Sequence, residues 1–90
     1  MQRAIITVVG KDTIGIIAGV CTYLAENRIN ILDISQTITG GYFNMMMITD
    51  ASACEKSTAQ IAQEMDAFGK TMNLSIRCMQ EDIFNSMHRI

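Results

Sequence analysis

A short turn carries the residue types in this sequence that are best suited to chemistry. Gly10, Lys11, Asp12 and Gly15 lie between an apolar run and the start of a helical pattern. Backbone N–H groups in the first turn of a helix carry partial positive charge, and a glycine lets an anion approach the main chain closely. The turn can therefore bind a carboxylate or phosphate through its backbone. A structural alternative is that Gly10 ends a strand and Gly15 lets the helix pack closely on the sheet.

Known phosphate-binding loops do not match this turn. Gly10 and Gly15 have the separation found in GxxxxGK[ST], but Ile16 stands where that motif needs lysine, and no GxGxxG occurs. We therefore expect neither ATP nor a dinucleotide, and no cofactor.

The histidine and the cysteines do not form a recognisable site. His88 is the only histidine, and the three cysteines, Cys21, Cys54 and Cys78, are widely spaced. A metal knuckle or disulfide framework needs closer or paired spacing. The sequence therefore predicts structural thiols and no metal.

Other polar and sulfur-bearing residues are equally scattered. Met45, Met46 and Met47 follow one another on a predicted strand, where neighbouring side chains point to opposite faces and cannot share one ion. Asp33, Asp50 and the other acids fall on separate elements, so no general acid and base can be paired. We expect no catalytic residues.

Composition indicates one small domain without a charged partner. The chain has 90 residues, of which 49% are hydrophobic and 18% charged, with a formal net charge of -2. This balance does not favour direct binding of nucleic acid. No apolar run reaches the roughly 18 residues of a membrane-spanning helix, and no signal peptide is evident. We expect a cytoplasmic protein without membrane contact.

Four strands follow from the hydrophobic patterns. Residues 3–9 and 42–49 are apolar on nearly every position, which is typical of strands buried on both faces. Residues 29–38 and 74–79 alternate, and the former has one polar face. "TGGY" between the second and third strands supplies the positive-φ residues of a hairpin.

Two helices connect these strands. We predict that the first lies on the core through Ile14, Ile17, Ala18, Cys21, Leu24 and Ala25. A second apolar line on it, formed by Ile16, Val20 and Tyr23, is either exposed or meets a neighbouring helix or subunit. Asp12 or Thr13 can cap its start, and Asn27 can take a left-handed turn at its end. The second helix has its stripe at Ile61, Ala62, Met65, Phe68, Gly69 and Met72.

The element order is β-α-β-β-α-β, which predicts an α+β, ferredoxin-like fold. Right-handed crossovers give a four-stranded antiparallel sheet of order 4-1-3-2 with two helices on one face. The glycine turn is then expected beside the start of the second strand. A helical tail over residues 81–90, apolar at Ile83, Phe84, Met87 and Ile90, or a second subunit, is expected to cover the other face. No proline protects the edge strands, which favours a homodimer.

The stretch from Val8 to Thr37 resembles the signature of the ACT domain, a small-molecule-binding regulatory module. Asp12, Gly15 and Ala18 fit its D-x-x-G-x-x-A turn, and Asn30 and Ile31 fit the opening of its second strand. The resemblance covers residues 1–80 as the ACT domain, followed by the tail. With "YFNMMMI" and "IFNSMHRI", the chain is most similar to free-standing bacterial ACT proteins of the UPF0237 type, related to glycine cleavage system repressors.

The resemblance implies an amino acid or similar metabolite bound between two subunits. Its site residues here are Asp12, Thr13, Ile14, Gly15, Ile16, Asn30 and Ile31. It further implies a non-enzymatic regulatory homodimer that signals to a partner protein. Two alternatives remain open: a small acylphosphatase-like hydrolase that uses the turn as an anion pocket and Asn30 to position a water, and a structural dimer without ligand.

Overall fold

The computed structural model describes residues 2–11 and 15–87. Its elements are β1 (Arg3–Lys11), α1 (Ile16–Glu26), β2 (Asn30–Thr39), β3 (Tyr42–Asp50), α2 (Thr58–Thr71), β4 (Leu74–Gln80) and α3 (Glu81–Met87). The predicted order of strands and helices is confirmed, and each predicted strand ends within two residues of the observed one.

The four strands form one antiparallel-paired sheet of order β2-β3-β1-β4, which is the predicted arrangement. β1 and β3 are central because their side chains are buried on the helix-bearing face, and Ile5 of β1 is buried on the opposite face as well. Gly40 and Gly41 turn the β2–β3 hairpin with φ of 59° and 83°.

The core lies between the sheet and helices α1 and α2. From the sheet it takes Ile6, Val8 and Met47, each with no exposed surface. Thr49 is the one buried polar side chain among the described residues, and its hydroxyl donates to the carbonyl of Ala4 at 2.9 Å. That hydrogen bond removes the desolvation cost that an unpaired buried hydroxyl would carry.

Helix α1 packs on the core through its second apolar line and not through the stripe that was predicted to face the core. Ile16, Val20 and Leu24 are buried, whereas Ile17 is 40% exposed and Ala18 is exposed. The predicted core stripe is therefore wrong except at Leu24 and, in part, Cys21. Ile14, which belonged to that stripe, lies outside the described residues.

Both ends of α1 differ from the predicted caps. The helix begins after Gly15, whose φ is 92°, while Asp12 and Thr13 lie outside the described residues. At the other end Asn27 has a φ of -100°, and Arg28 takes the left-handed conformation with a φ of 58°. The side-chain amide of Asn27 instead donates to the carbonyl of Tyr23 at 2.9 Å.

Strand β2 is exposed on both faces rather than on one. All of its residues except Ile31 are exposed, including Leu32, Ile34 and Ile38 at 41%, 43% and 62%. The pairing with β3 shifts between Ile31 and Asp33, so Leu32 is an extra residue in the strand. This bulge reverses which side chains face the helices, and a simple alternation cannot predict it.

Helix α3 wraps around the end of the β1–β4 pair. Phe84 lines a groove on the open face of the sheet, and Ile83 lines another groove beside α2. The Arg3 Nε atom lies 3.1 Å from Glu81 Oε2, an ion pair that lacks hydrogen-bond geometry and joins α3 to β1. The expected cover for the second face of the sheet is thus present over part of that face.

Candidate functional site

Gly15 is needed for its backbone conformation and not for packing. Among the described residues, which include the whole sheet, nothing lies within 4 Å of a Cβ built on Gly15, so the alternative that this glycine admits close helix–sheet packing is wrong. Its φ of 92° lies in a region that side-chain-bearing residues rarely adopt. A close approach does occur at Gly10, where a Cβ would lie 2.6 Å from a methyl group of Leu74.

The backbone amide groups of the first turn of α1 directly follow Gly15. The first helical bond within the described residues runs from the N–H of Gly19 to the carbonyl of Gly15, at 2.9 Å. The N–H groups of Ile16, Ile17 and Ala18 precede that bond, and the first N–H groups of a helix have no acceptor within the helix. The predicted site residues Asp12, Thr13 and Ile14 lie outside the described residues.

The other half of the predicted site lies at the opposite end of the sheet. Lys11, at the end of β1, pairs with Tyr42, whereas Asn30, at the start of β2, pairs with Asp50 at the far end of β3. The expectation that the glycine turn sits beside the start of the second strand is therefore wrong within one chain. The 11 residues of α1 separate Gly15 from Asn30, a helix length of about 16 Å.

A polar cavity of about 210 Å³ lies near Asn30, at the carboxyl end of α1. It is lined by Glu26, Asn27, Arg28, Ala53, Glu55 and Lys56. The sequence analysis did not single out these residues, because their charges come from two segments far apart in the chain. The left-handed φ of Arg28 ends the helix there and turns the chain into β2.

An ion-paired cluster holds α1, α2 and the loop before α2 together beside this cavity. Glu64 Oε1 accepts from the Tyr23 hydroxyl at 2.9 Å and from Lys56 Nζ at 2.7 Å. The Lys56 ammonium also lies 5.6 Å from the centre of the Tyr23 ring, within cation–π range. These contacts lower the pKa of Glu64, first through Lys56, while burial and the bond to Glu64 raise the pKa of Tyr23.

Neither a metal site nor a membrane span is found in the part of the chain that the structure describes. No group of three or more histidine, cysteine or acidic residues among residues 2–11 and 15–87 could hold a metal ion. None of the described helices is long and apolar enough to cross a membrane. Burial raises the pKa of the Cys78 thiol to about 11, which makes it a poor nucleophile at neutral pH.

Comparison with known proteins identifies the class to which this fold belongs. The family model of the ACT domain matches residues 2–79, and the chain is therefore a small regulatory ACT-domain protein. An ACT domain protein from Streptococcus pneumoniae has the same fold, with a TM-score of 0.82 and 43% identity over 92% of this chain and 93% of its own.

Within that class the chain belongs to the UPF0237 family. A UPF0237 protein from Bifidobacterium longum is 53% identical over 90 residues, which is 100% of both chains. A protein assigned as a glycine cleavage system transcriptional repressor shares the fold, with a TM-score of 0.74 and 22% identity over 88% of this chain and 45% of its own.

Proposed function

We propose that this protein is a non-enzymatic, cytoplasmic metabolite sensor that works as a homodimer. It binds an amino acid or similar small molecule between subunits and passes the signal to a partner protein. The observation that carries the proposal is the open backbone at Gly15 beside the start of a helix, where a Cβ would meet no atom of the described residues within 4 Å. A ligand carboxylate placed there gains the partial positive charge of the helix end.

The proposed site requires two chains, because one chain keeps its halves apart. A two-fold axis perpendicular to α1, with the two α1 helices side by side, makes the helices antiparallel. The start of each helix then lies next to the end of the other, so Gly15 approaches Asn30 and Ile31 of the partner subunit. An isologous dimer therefore contains two equivalent sites, each built from both chains.

Strand β2 and the outer side of α1 support this way of pairing. β2 is an edge strand, and its outer backbone groups are open to another chain. Ile34 and Ile38 point to the helix side of the sheet and are 43% and 62% exposed. Ile17 on α1 is 40% exposed as well. We call these three exposed apolar side chains the edge strip, and a second subunit that covers β2 and α1 would bury them.

Binding between subunits provides a mechanism for regulation without catalysis. A ligand that contacts both chains favours the dimer over the monomer by its differential affinity. A partner protein that recognises one of these states then reads the metabolite concentration. The hydrolase alternative is less well supported, since Asn30 lies at the far end of the sheet from the turn and cannot position a water there in the same chain.

The direct test is calorimetric titration with the twenty amino acids and related small acids. We expect one of them to bind saturably and Gly15→Val to abolish binding. Gly41→Val is the matched control, since Gly41 also has a positive φ, 83°, and open space around its Cβ position. It should carry a similar backbone strain but keep the ligand affinity. If no compound binds saturably, the result contradicts the metabolite-binding proposal and favours the alternative of a structural dimer without ligand.

A complementation experiment tests whether the site is shared. Gly15→Val and Asn30→Ala should each abolish binding alone. Mixed and refolded together, they form heterodimers with one intact and one doubly altered site, which restores about a quarter of the wild-type sites. Absence of any recovery, with both variants folded and dimeric, would place both residues in one subunit or outside the site.

A further inference from the structure

The polar cavity at the carboxyl end of α1 adjoins the proposed ligand site. Arg28 lines the cavity, and Asn30 of the proposed site follows it by two positions. In the proposed dimer, Gly15 of the partner subunit lies next to this end of α1. A ligand whose carboxylate binds at Gly15 can therefore extend the rest of its length into the cavity, and the charges there decide which ligand fits.

Arg28 brings a cation to the cavity that is free to bind an anion. Its side chain is exposed and takes part in no ion pair or hydrogen bond with the described residues. Lys56 also lines the cavity, but its Nζ atom lies 2.7 Å from Glu64 Oε1, so that charge is already neutralised. A guanidinium binds a carboxylate through two parallel hydrogen bonds and stays charged throughout the physiological pH range. A ligand carboxylate in the cavity is therefore expected to pair with Arg28.

The backbone conformation of Arg28 is a second indication of a binding role. Its φ of 58° lies in the left-handed region, which disfavours a Cβ and is readily adopted by glycine. Side-chain-bearing residues held in such sparsely populated regions cluster at functional sites. Asn73 is the other described residue of this kind, and asparagine tolerates the region well. Arg28 is thus a strained residue whose side chain needs a reason to be there, and a bound anion supplies one.

Acceptor groups on the same cavity can bind a cation. Glu26 and Glu55 line it, and their exposed carboxylates form no ion pair with the described residues, Arg28 included. The backbone carbonyl of Glu26 accepts no hydrogen bond from the described residues, and the end of a helix carries partial negative charge. An ammonium group has three donors, which these two carboxylates and the carbonyl can satisfy. The cavity therefore suits an ammonium as well as a carboxylate.

We infer that the ligand of the shared site is an acidic amino acid. Its α-carboxylate binds at Gly15 of the partner subunit, and its side-chain carboxylate pairs with Arg28. Its α-ammonium lies between Glu26 and Glu55. The three charged groups of such a ligand match a helix start, a guanidinium and an acid pair. The inference rests on the proposed function, whose shared site supplies the first of these contacts.

Other amino acids fit these charges less well. A neutral side chain leaves the guanidinium of Arg28 without a partner after its water has been displaced. A basic side chain in the same place sets two cations together, which costs affinity. The site therefore selects for charge on the ligand side chain as well as for the amino acid head group.

Paired ligands that differ by one charged group test the inference by calorimetric titration of the full chain. L-Glutamate and L-aspartate should bind about 10-fold or more tightly than L-glutamine and L-asparagine, because the amides cannot form the charge-assisted bidentate contact. Arg28→Gln should remove this preference. Lys70→Gln is the matched control and should keep it, since it removes an exposed cation in the last turn of α2, far from the cavity.

The acid pair is tested with glutarate and succinate, which keep both carboxylates of glutamate and aspartate but lack the ammonium. Each should bind about 10-fold or more weakly than the amino acid that it resembles. Glu55→Gln should reduce that difference, because one acceptor of the ammonium loses its charge. Asp82→Asn, at an exposed acid on α3, is the control and should leave the difference unchanged. Circular dichroism checks that all the variants fold.

The outcomes separate this inference from the proposed function. A preference for acidic amino acids that Arg28→Gln removes and Lys70→Gln keeps supports the inference. Equal binding of glutamate and glutamine, or a preference unchanged in Arg28→Gln, overturns it, and loss of that binding in Gly15→Val would still support the proposed function. Binding of glutamate that needs Arg28 but survives Gly15→Val supports the ligand class and contradicts the shared site. Absence of saturable binding by every compound contradicts both.

Discussion

Three glycines show how close packing and backbone strain make different demands on single residues. Gly69 in α2 and Gly19 in α1 allow close packing, since an added Cβ would lie 2.7 Å from the carbonyl oxygen of Leu74 and 2.5 Å from the ring of Phe68. Gly15 instead has a φ of 92°, and no atom of the described residues lies within 4 Å of its Cβ position. A ring on a flexible side chain can move away, whereas a strand carbonyl in the sheet cannot.

The first prediction follows from that difference between Gly69 and Gly19. Gly69→Ala should destabilise the fold by about 1–3 kcal/mol through overpacking, although alanine favours a helix by about 1 kcal/mol over glycine. Gly19→Ala is the matched helical control and should cost less, because the Phe68 ring can rotate. Urea unfolding of both variants measures the two values. Equal stability of the two variants would contradict the assigned contacts.

A second residue-scale prediction concerns the Cys78 thiol, whose pKa is raised from 9.0 to about 11 by burial. The folded state holds the thiol neutral, while the unfolded state ionises it near pH 9. The stability that this thiol contributes is therefore complete below pH 9 and falls as the pH rises toward 11, by about 2–3 kcal/mol.

The matched measurement uses Cys78→Ala, which removes the titrating group. Other residues also titrate in this range, so the informative quantity is the difference in unfolding free energy between wild type and variant at pH 8 and pH 10.5. That difference should shrink at the higher pH. A difference independent of pH would show that the thiol ionises equally in both states.

At the scale of whole elements, the backbone at the end of α1 is strained at one residue. Arg28 holds a φ of 58°, a conformation that costs a non-glycine residue about 1 kcal/mol or more. Arg28→Gly should therefore stabilise the protein by about 0.5–1 kcal/mol. Asn73, with a φ of 61°, is the control, because asparagine tolerates this region and Asn73→Gly should be nearly neutral. Thermal unfolding distinguishes the two, and an equal effect of both would indicate that residue type does not set the strain.

The sequence patterns predicted where the helices and strands lie more accurately than they predicted which side of each element is exposed. Helix α1 is apolar on two neighbouring lines, so periodicity alone could not decide that Ile16 and Val20 face the core while Ile17 remains 40% exposed. The choice depends on how the helix packs. Strand β2 has a similar problem, since the bulge at Leu32 reverses the alternation without a mark in the sequence.

The site was predictable as residue types but not as a single location. Gly15 has the positive φ that a glycine turn suggests, and its position before α1 follows from the pattern. Its distance from Asn30 follows from the topology, because two strands joined by a crossover helix run in the same direction and place these residues at opposite ends. Arg28 and Lys56 escaped notice because only the folded chain brings their segments together at one cavity.

At the scale of the whole molecule, exposed apolar surface occurs on both sides of the sheet. The edge strip lies on the helix side of the sheet, and the groove beside Phe84 lies on the open face. A domain of 90 residues buries about 60–65% of its unfolded surface and has little stability to spare. The proposed association through the edge strip would therefore add to folding stability by mass action.

That coupling makes thermal stability depend on protein concentration. In the proposed dimer, the edge strip holds the two chains together. A tenfold rise in protein concentration should then raise Tm by a few degrees, because dilution favours the unfolded monomer. Adding Ile34→Lys should lower Tm and remove this dependence, since a lysine at the centre of the strip opposes its burial. Ile83→Lys, on α3 and 50% exposed, is the matched control and should keep the dependence. If the Tm of the protein with an unaltered Ile34 does not change with concentration, the folded protein is a monomer and the edge strip does not form a dimer.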